Sequence, residues 1–61
     1  MKNTKNTKTP RLDAAWRDGW RDAYLGGDGR NPYRYSDDPN SCHQHFKAGW
    51  YQGAEDYDLG R

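Results

Sequence analysis

Apolar and aromatic positions fall into two blocks separated by a polar, turn-rich stretch. In the first block Leu12, Trp16, Gly19, Trp20, Ala23 and Tyr24 recur at spacings of three and four. At 100° per residue they share an arc of about 140°, which predicts an amphipathic helix from Pro10 to about Leu25. Thr9 is placed to cap the free amides, and Pro10 suits the first helical position, where a missing N–H costs nothing. Asp13 precedes Arg17 by four, the favourable order for an ion pair along a helix. Asp18 and Asp22 fall on the far side of the wheel. Gly26 or Gly27 supplies the left-handed residue that ends helices. In the second block Cys42, Phe46, Gly49, Trp50 and Gly53 form the arc of another helix, beginning near Asp38-Pro39 or Asn40-Ser41. Glu55, Asp56 and Asp58 oppose its dipole, so it is expected to end or fray by about Tyr57.

The two blocks are copies of one pattern. Trp16-Arg17-Asp18-Gly19-Trp20 returns as Phe46-Lys47-Ala48-Gly49-Trp50, with Ala23 matching Gly53 and Leu12 matching Cys42. A glycine inside a helix costs about 1 kcal/mol relative to alanine. Its place on both apolar faces therefore predicts a close crossing, with tryptophan rings covering it. The connector, GGDGRNPYRYSDD, is long for so small a domain. The expected fold is all-α: two antiparallel helices over residues 10–57, a disordered basic tail over 1–9, and a short C-terminal tail over 58–61.

Composition narrows the function classes. Only 31% of the 61 residues are hydrophobic, about half of that aromatic, so the domain is marginal alone and a partner or self-association (a homodimer) is expected to help. One cysteine makes no internal disulfide, no apolar run reaches the length of a membrane span, and no leader-like apolar segment follows the N-terminal lysines. The expectation is a soluble, cytoplasmic protein. Charge is uneven: residues 1–34 hold eight Lys/Arg against four Asp, whereas residues 35–61 hold two against five acids. The basic half suits nucleic acid or an acidic protein.

Chemistry has less support. Cys42 and His45 share a helix face, but a structural zinc wants four ligands, so no metal is expected. Gly26-Gly27-Asp28-Gly29 lacks the Lys-Ser/Thr of a phosphate loop and follows a helix, whose carbonyl end repels anions. No catalytic set has convincing spacing, so neither an enzyme nor a cofactor is expected. Lys8, Arg11, Arg17, Arg21, Arg30 and Arg34 form a candidate RNA-binding strip, with Tyr35 open either to stacking on bases or to packing. Tyr33 is expected to pack back as the connector's anchor. The repeat's unlike positions, Arg17 and Arg21 in one copy and Tyr51 and Gln52 in the other, are where specific function is expected.

The ordered set Gly19-Trp20, Ala23, Gly26-Gly27, Asn31-Pro32-Tyr33, Phe46, Gly49-Trp50 and Gly53, with Trp16 ahead of it, resembles the ribosome modulation factor family over roughly residues 12–54. That resemblance implies two helices around a turn-rich connector, binding to ribosomal RNA of the small subunit, and a role in translation regulation during ribosome hibernation. Family members are strongly basic throughout, whereas this chain is near neutral. The other reading is a protein-binding inhibitor or adaptor, of the kind carried by phages or plasmids, using exposed aromatics and the acidic C-terminal half. A small-molecule-modifying enzyme stands third.

Overall fold

The computed structural model describes residues 5–60, with side chains from Arg11 onward. Two helices, α1 (Lys5–Tyr24) and α2 (Cys42–Asp58), pack against each other, and no strand occurs among the described residues. The all-α, two-helix expectation stands. Its N-terminal boundary changes. The backbone is helical from Lys5, so the tail expected over 1–9 is helical in its described part. Proline's fixed φ is itself helical, and its cost within the helix, a lost donor and ring crowding, falls on one carbonyl, that of Asn6. A start signal at Pro10 therefore does not forbid a turn ahead of it.

The other three ends follow from local chemistry. Gly26 takes φ +82°, and the Gly26 and Gly27 amides donate to the carbonyls of Ala23 (3.3 Å) and Asp22 (2.7 Å), the paired bonds of a glycine C-cap. Ser41 caps α2: its Oγ accepts from the Gln44 amide at 3.2 Å and donates to the Asp38 carbonyl at 2.7 Å. At the far end the helix runs to Asp58, one residue beyond the expected limit, with Leu59 as its cap and Gly60 following at φ +73°.

The helices run parallel, not antiparallel. Cys42 lies against the Arg11 carbonyl (Sγ to O 3.9 Å), Gly49 against the backbone of Trp16, Gly53 against that of Trp20, and Tyr57 against Tyr24 (ring centroids 6.0 Å). Residue numbers rise together along both helices. A short link joins antiparallel neighbours, whereas a parallel pair needs the chain to come back first. Covering the stretch of α1 from Tyr24 to Arg11 takes about 20 Å of return, which explains a connector too long for a hairpin. Residues 25–41 make that return beside both helices. Gly29 N–H donates to Asp22 Oδ2 (2.8 Å), Tyr33 Oη to Asp18 Oδ2 (3.2 Å), and Ser36 O accepts from Gln44 Nε2 (2.6 Å).

The parallel crossing uses the sequence repeat reciprocally. A Cβ on Gly19 would collide with the Phe46 carbonyl and one on Gly49 with the Trp16 carbonyl. Shifting by the repeat length turns the first contact into the second, so the two helices are related by an approximate twofold. The backbones meet directly there, close enough for Cα–H groups to face carbonyl oxygens. The core is correspondingly small: Ala15 is fully buried and Phe46 is 4% exposed. The three tryptophans are only half-buried. Two of the indole N–H groups cross the interface, Trp20 to Asp56 Oδ2 (2.8 Å) and Trp50 to Asp22 Oδ2 (3.1 Å). The rings flank the crossing rather than fill it, because indole N–H needs a polar partner.

Candidate nucleic-acid interface

The returning connector decides which charged side chains meet. Gly29 sits at Asp22 and Tyr33 at Asp18, so the connector lies along the flank of α1 that the wheel assigned to solvent. Asp18 and Asp22 are thereby used structurally. Asp22 is half-buried, and its Oδ2 accepts both the Gly29 amide and the Trp50 indole. Gly27 has no room for a side chain because that carboxylate occupies the space. One acid thus ties the end of α1, the connector and α2 together.

The same course puts Arg30 on the cleft that Arg21 borders. Both line an open cleft of about 480 Å³, with Asp18, Asp22 and Pro32 as neighbours. Arg17 lies one turn before Arg21 on the same flank and is exposed, as is Arg34 beside Tyr33. Among the described residues none of these arginine side chains makes a hydrogen bond or ion pair, and the expected Asp13–Arg17 pair does not form. Their charge is free for a partner. The acids in the cleft are partly offset by the N–H and O–H groups they accept from.

Other members of the expected strip lie elsewhere. Arg11 borders a separate cleft at the N-terminal end with Asn40, Ser41 and Cys42. The side chain of Lys8 lies outside the described residues. Tyr35 opens on a third groove, where it meets His43 edge-on at 5.0 Å. Tyr33 packs as expected, its ring 6.1 Å from that of Phe46. Burial, then the Asp18 carboxylate accepting from its hydroxyl, pushes its phenol above the ordinary 10.0.

The remaining motif residues are structural. Asn31 joins connector to helix: Nδ2 donates to the His43 carbonyl (3.0 Å), while Oδ1 accepts from the Tyr33 amide (3.0 Å). Pro32, between them, is exposed and holds the turn. Both histidines face backbone oxygens. His43 Nδ1 lies 3.1 Å from Ser36 O, and His45 Nδ1 lies 3.0 Å from Ser41 O. Cys42 is half-buried, and no group of three His, Cys, Asp or Glu side chains among the described residues is placed to hold a metal. No described helix is long and apolar enough to cross a membrane.

The wheel did not single out Ala15, Asp28 or Lys47. Ala15 lies beside the arc it defined, and its burial follows from how near the glycines let α2 come. Lys47 repeats Arg17, the one available hint that this position carries a cation in both copies. Comparison of the chain with protein-family models, with curated proteins and with solved structures finds no match.

Proposed function

We propose that this chain is a small RNA-binding protein of the ribosome modulation factor kind, which occupies ribosomal RNA on the small subunit and so modulates translation without performing chemistry. The observation that carries the reading is one open cleft lined by both Arg21 and Arg30, with Arg17 and Arg34 exposed and none of the four arginines held in an ion pair among the described residues. Arginine forks suit phosphate oxygens, and several on one flank track a backbone. The ordered glycine, tryptophan and Asn-Pro-Tyr motif adds the resemblance to that family.

The test is co-sedimentation with small ribosomal subunits at low and moderate salt. The full chain pellets with the particle, and binding weakens steeply with salt, by about 0.7 in log–log slope for each phosphate neutralised on single strands. Failure to pellet at low salt overturns the reading.

A protein partner is favoured by a different observation. Parallel helices end together, which gathers the exposed Leu25, Tyr57 and Leu59 at one end of the molecule. An aromatic and aliphatic patch of that kind suits a protein surface and loses little affinity as salt rises. Capture that resists salt and fails when Tyr57 and Leu59 are truncated supports this second reading.

A further inference from the structure

Between the connector and α2 lies an open groove of about 520 Å³ that the arginine flank does not use. Phe46 and Trp50 line it with Tyr35 and Tyr51, and those two tyrosines are 74% and 62% exposed. Trp50 and Tyr51 stand perpendicular, with centroids 5.6 Å apart. A flat ring stacked on one meets the other edge-on, the two arrangements aromatic rings prefer. The groove is also preformed. Asp22 Oδ2 fixes the Trp50 indole and the Gly29 amide together, and the Gly29 backbone packs so close to the indole that a Cβ there would lie 3.3 Å from Nε1.

Its polar groups are largely unspent. Lys47 and Asp28 line the groove, and among the described residues the Lys47 ammonium and the hydroxyls of Tyr35 and Tyr51 have no partner. Asp28 uses only Oδ1, accepting from the Arg30 amide at 3.1 Å. A flat apolar wall with one cation and one free carboxylate oxygen matches a planar heteroaromatic ring that bears both an N–H donor and an anion. A methylated ammonium would also be drawn to the rings, but Lys47 repels it.

We propose that this groove binds one nucleobase together with its phosphate. The ring stacks on the aromatic wall, its exocyclic amine donates to Asp28, and the phosphate faces Lys47. The same chemistry comes from a free nucleotide or from an unpaired residue of RNA. The second source rests on the RNA-binding reading, and the first does not.

The experiment is an amide NMR and tryptophan-fluorescence titration of the full chain with AMP, adenosine, choline and a short oligoadenylate. AMP is expected to shift Gly29, Tyr35, Lys47, Trp50 and Tyr51 and to quench fluorescence saturably. Tyr35→Ala and Tyr51→Ala each weaken AMP by about tenfold, with the remaining amide spectrum unchanged because both side chains are exposed. Lys47→Gln weakens AMP but not adenosine. No shift with AMP, choline binding equal to AMP, or tyrosine variants that bind normally would each overturn the proposal. Oligoadenylate binding lost on Arg21→Glu with Arg30→Glu, yet kept in both tyrosine variants, overturns the groove and leaves the RNA reading standing. AMP binding without oligoadenylate or subunit binding keeps the groove, assigns it to a free nucleotide, and ends the RNA reading.

Discussion

Gly49→Ala sets two effects of opposite sign against each other. On an open helix face the change is worth about 1 kcal/mol of stability, through helix propensity. At Gly49 the new methyl would overlap the Trp16 carbonyl oxygen and lie 2.8 Å from its carbon and 3.1 Å from Cα, where ordinary contact begins at 3.4 Å. These are backbone atoms within a helix, so no side-chain rotation relieves the overlap. The helices must part by about an ångström or more to clear the carbonyl oxygen, which strips contact from Ala15 and Phe46 and lengthens both indole–carboxylate bonds. Overpacking of this kind costs about 1–3 kcal/mol, and loosening a hydrogen bond costs on the order of 1 kcal/mol. The net expectation is a loss of about 2 kcal/mol despite the propensity gain. In a domain this small that lowers the melting temperature by roughly 10 °C. Thermal melting followed by circular dichroism reads it. Ala48→Gly, on the exposed face of α2, is the control and should cost only its propensity, about 1 kcal/mol. A melting temperature for Gly49→Ala above that of the parent chain would refute the close crossing.

Three further outcomes follow. Asp22→Ala leaves the Trp50 indole and the Gly29 amide without their acceptor, and should cost about 1–3 kcal/mol in a denaturant melt and shift Trp50 emission. Because the folded chain raises the Tyr33 phenol above 10.0, it holds that proton longer than the unfolded chain does. That contribution to stability is complete below about pH 10 and is lost as pH rises through the raised value, and Tyr33→Phe should flatten that part of an alkaline stability profile. Arg21→Glu with Arg30→Glu should remove subunit binding at low salt while helicity stays unchanged, since neither side chain supports the fold.

Much of the fold was legible because local rules dominate it. The glycine after α1, the serine before α2 and the small residues on both apolar faces each have a mechanism that needs no partner. Helix direction was not legible. Identical apolar arcs pack in either sense, and only the connector's length hinted that the chain had to return before α2 began. That same return moved Asp18 and Asp22 from an expected solvent face into the structure, because the wheel registers α1 against one neighbour and the chain supplies two. The arginines could be counted from the sequence, but which of them share a cleft depends on the connector's path: Arg21 and Arg30 line one, Arg11 stays at the other end, and Tyr35 joins an aromatic groove instead. That Asp28 and Lys47 share a groove was not legible either, because neither lies on an apolar arc.

The parallel course of the two helices underlies both the Arg21–Arg30 cleft and the aromatic groove, since the connector that makes them returns beside α1 only in that arrangement. A spin label on Asn40→Cys in a Cys42→Ser background tests it directly, because Asn40 is exposed and shares a cleft with Arg11 and Leu12. The label should broaden the amides of residues 11–15 and leave those of Tyr24 and Leu25 sharp. Broadening at Tyr24 and Leu25 with sharp signals at Arg11 and Leu12 would mean antiparallel helices and would contradict the account.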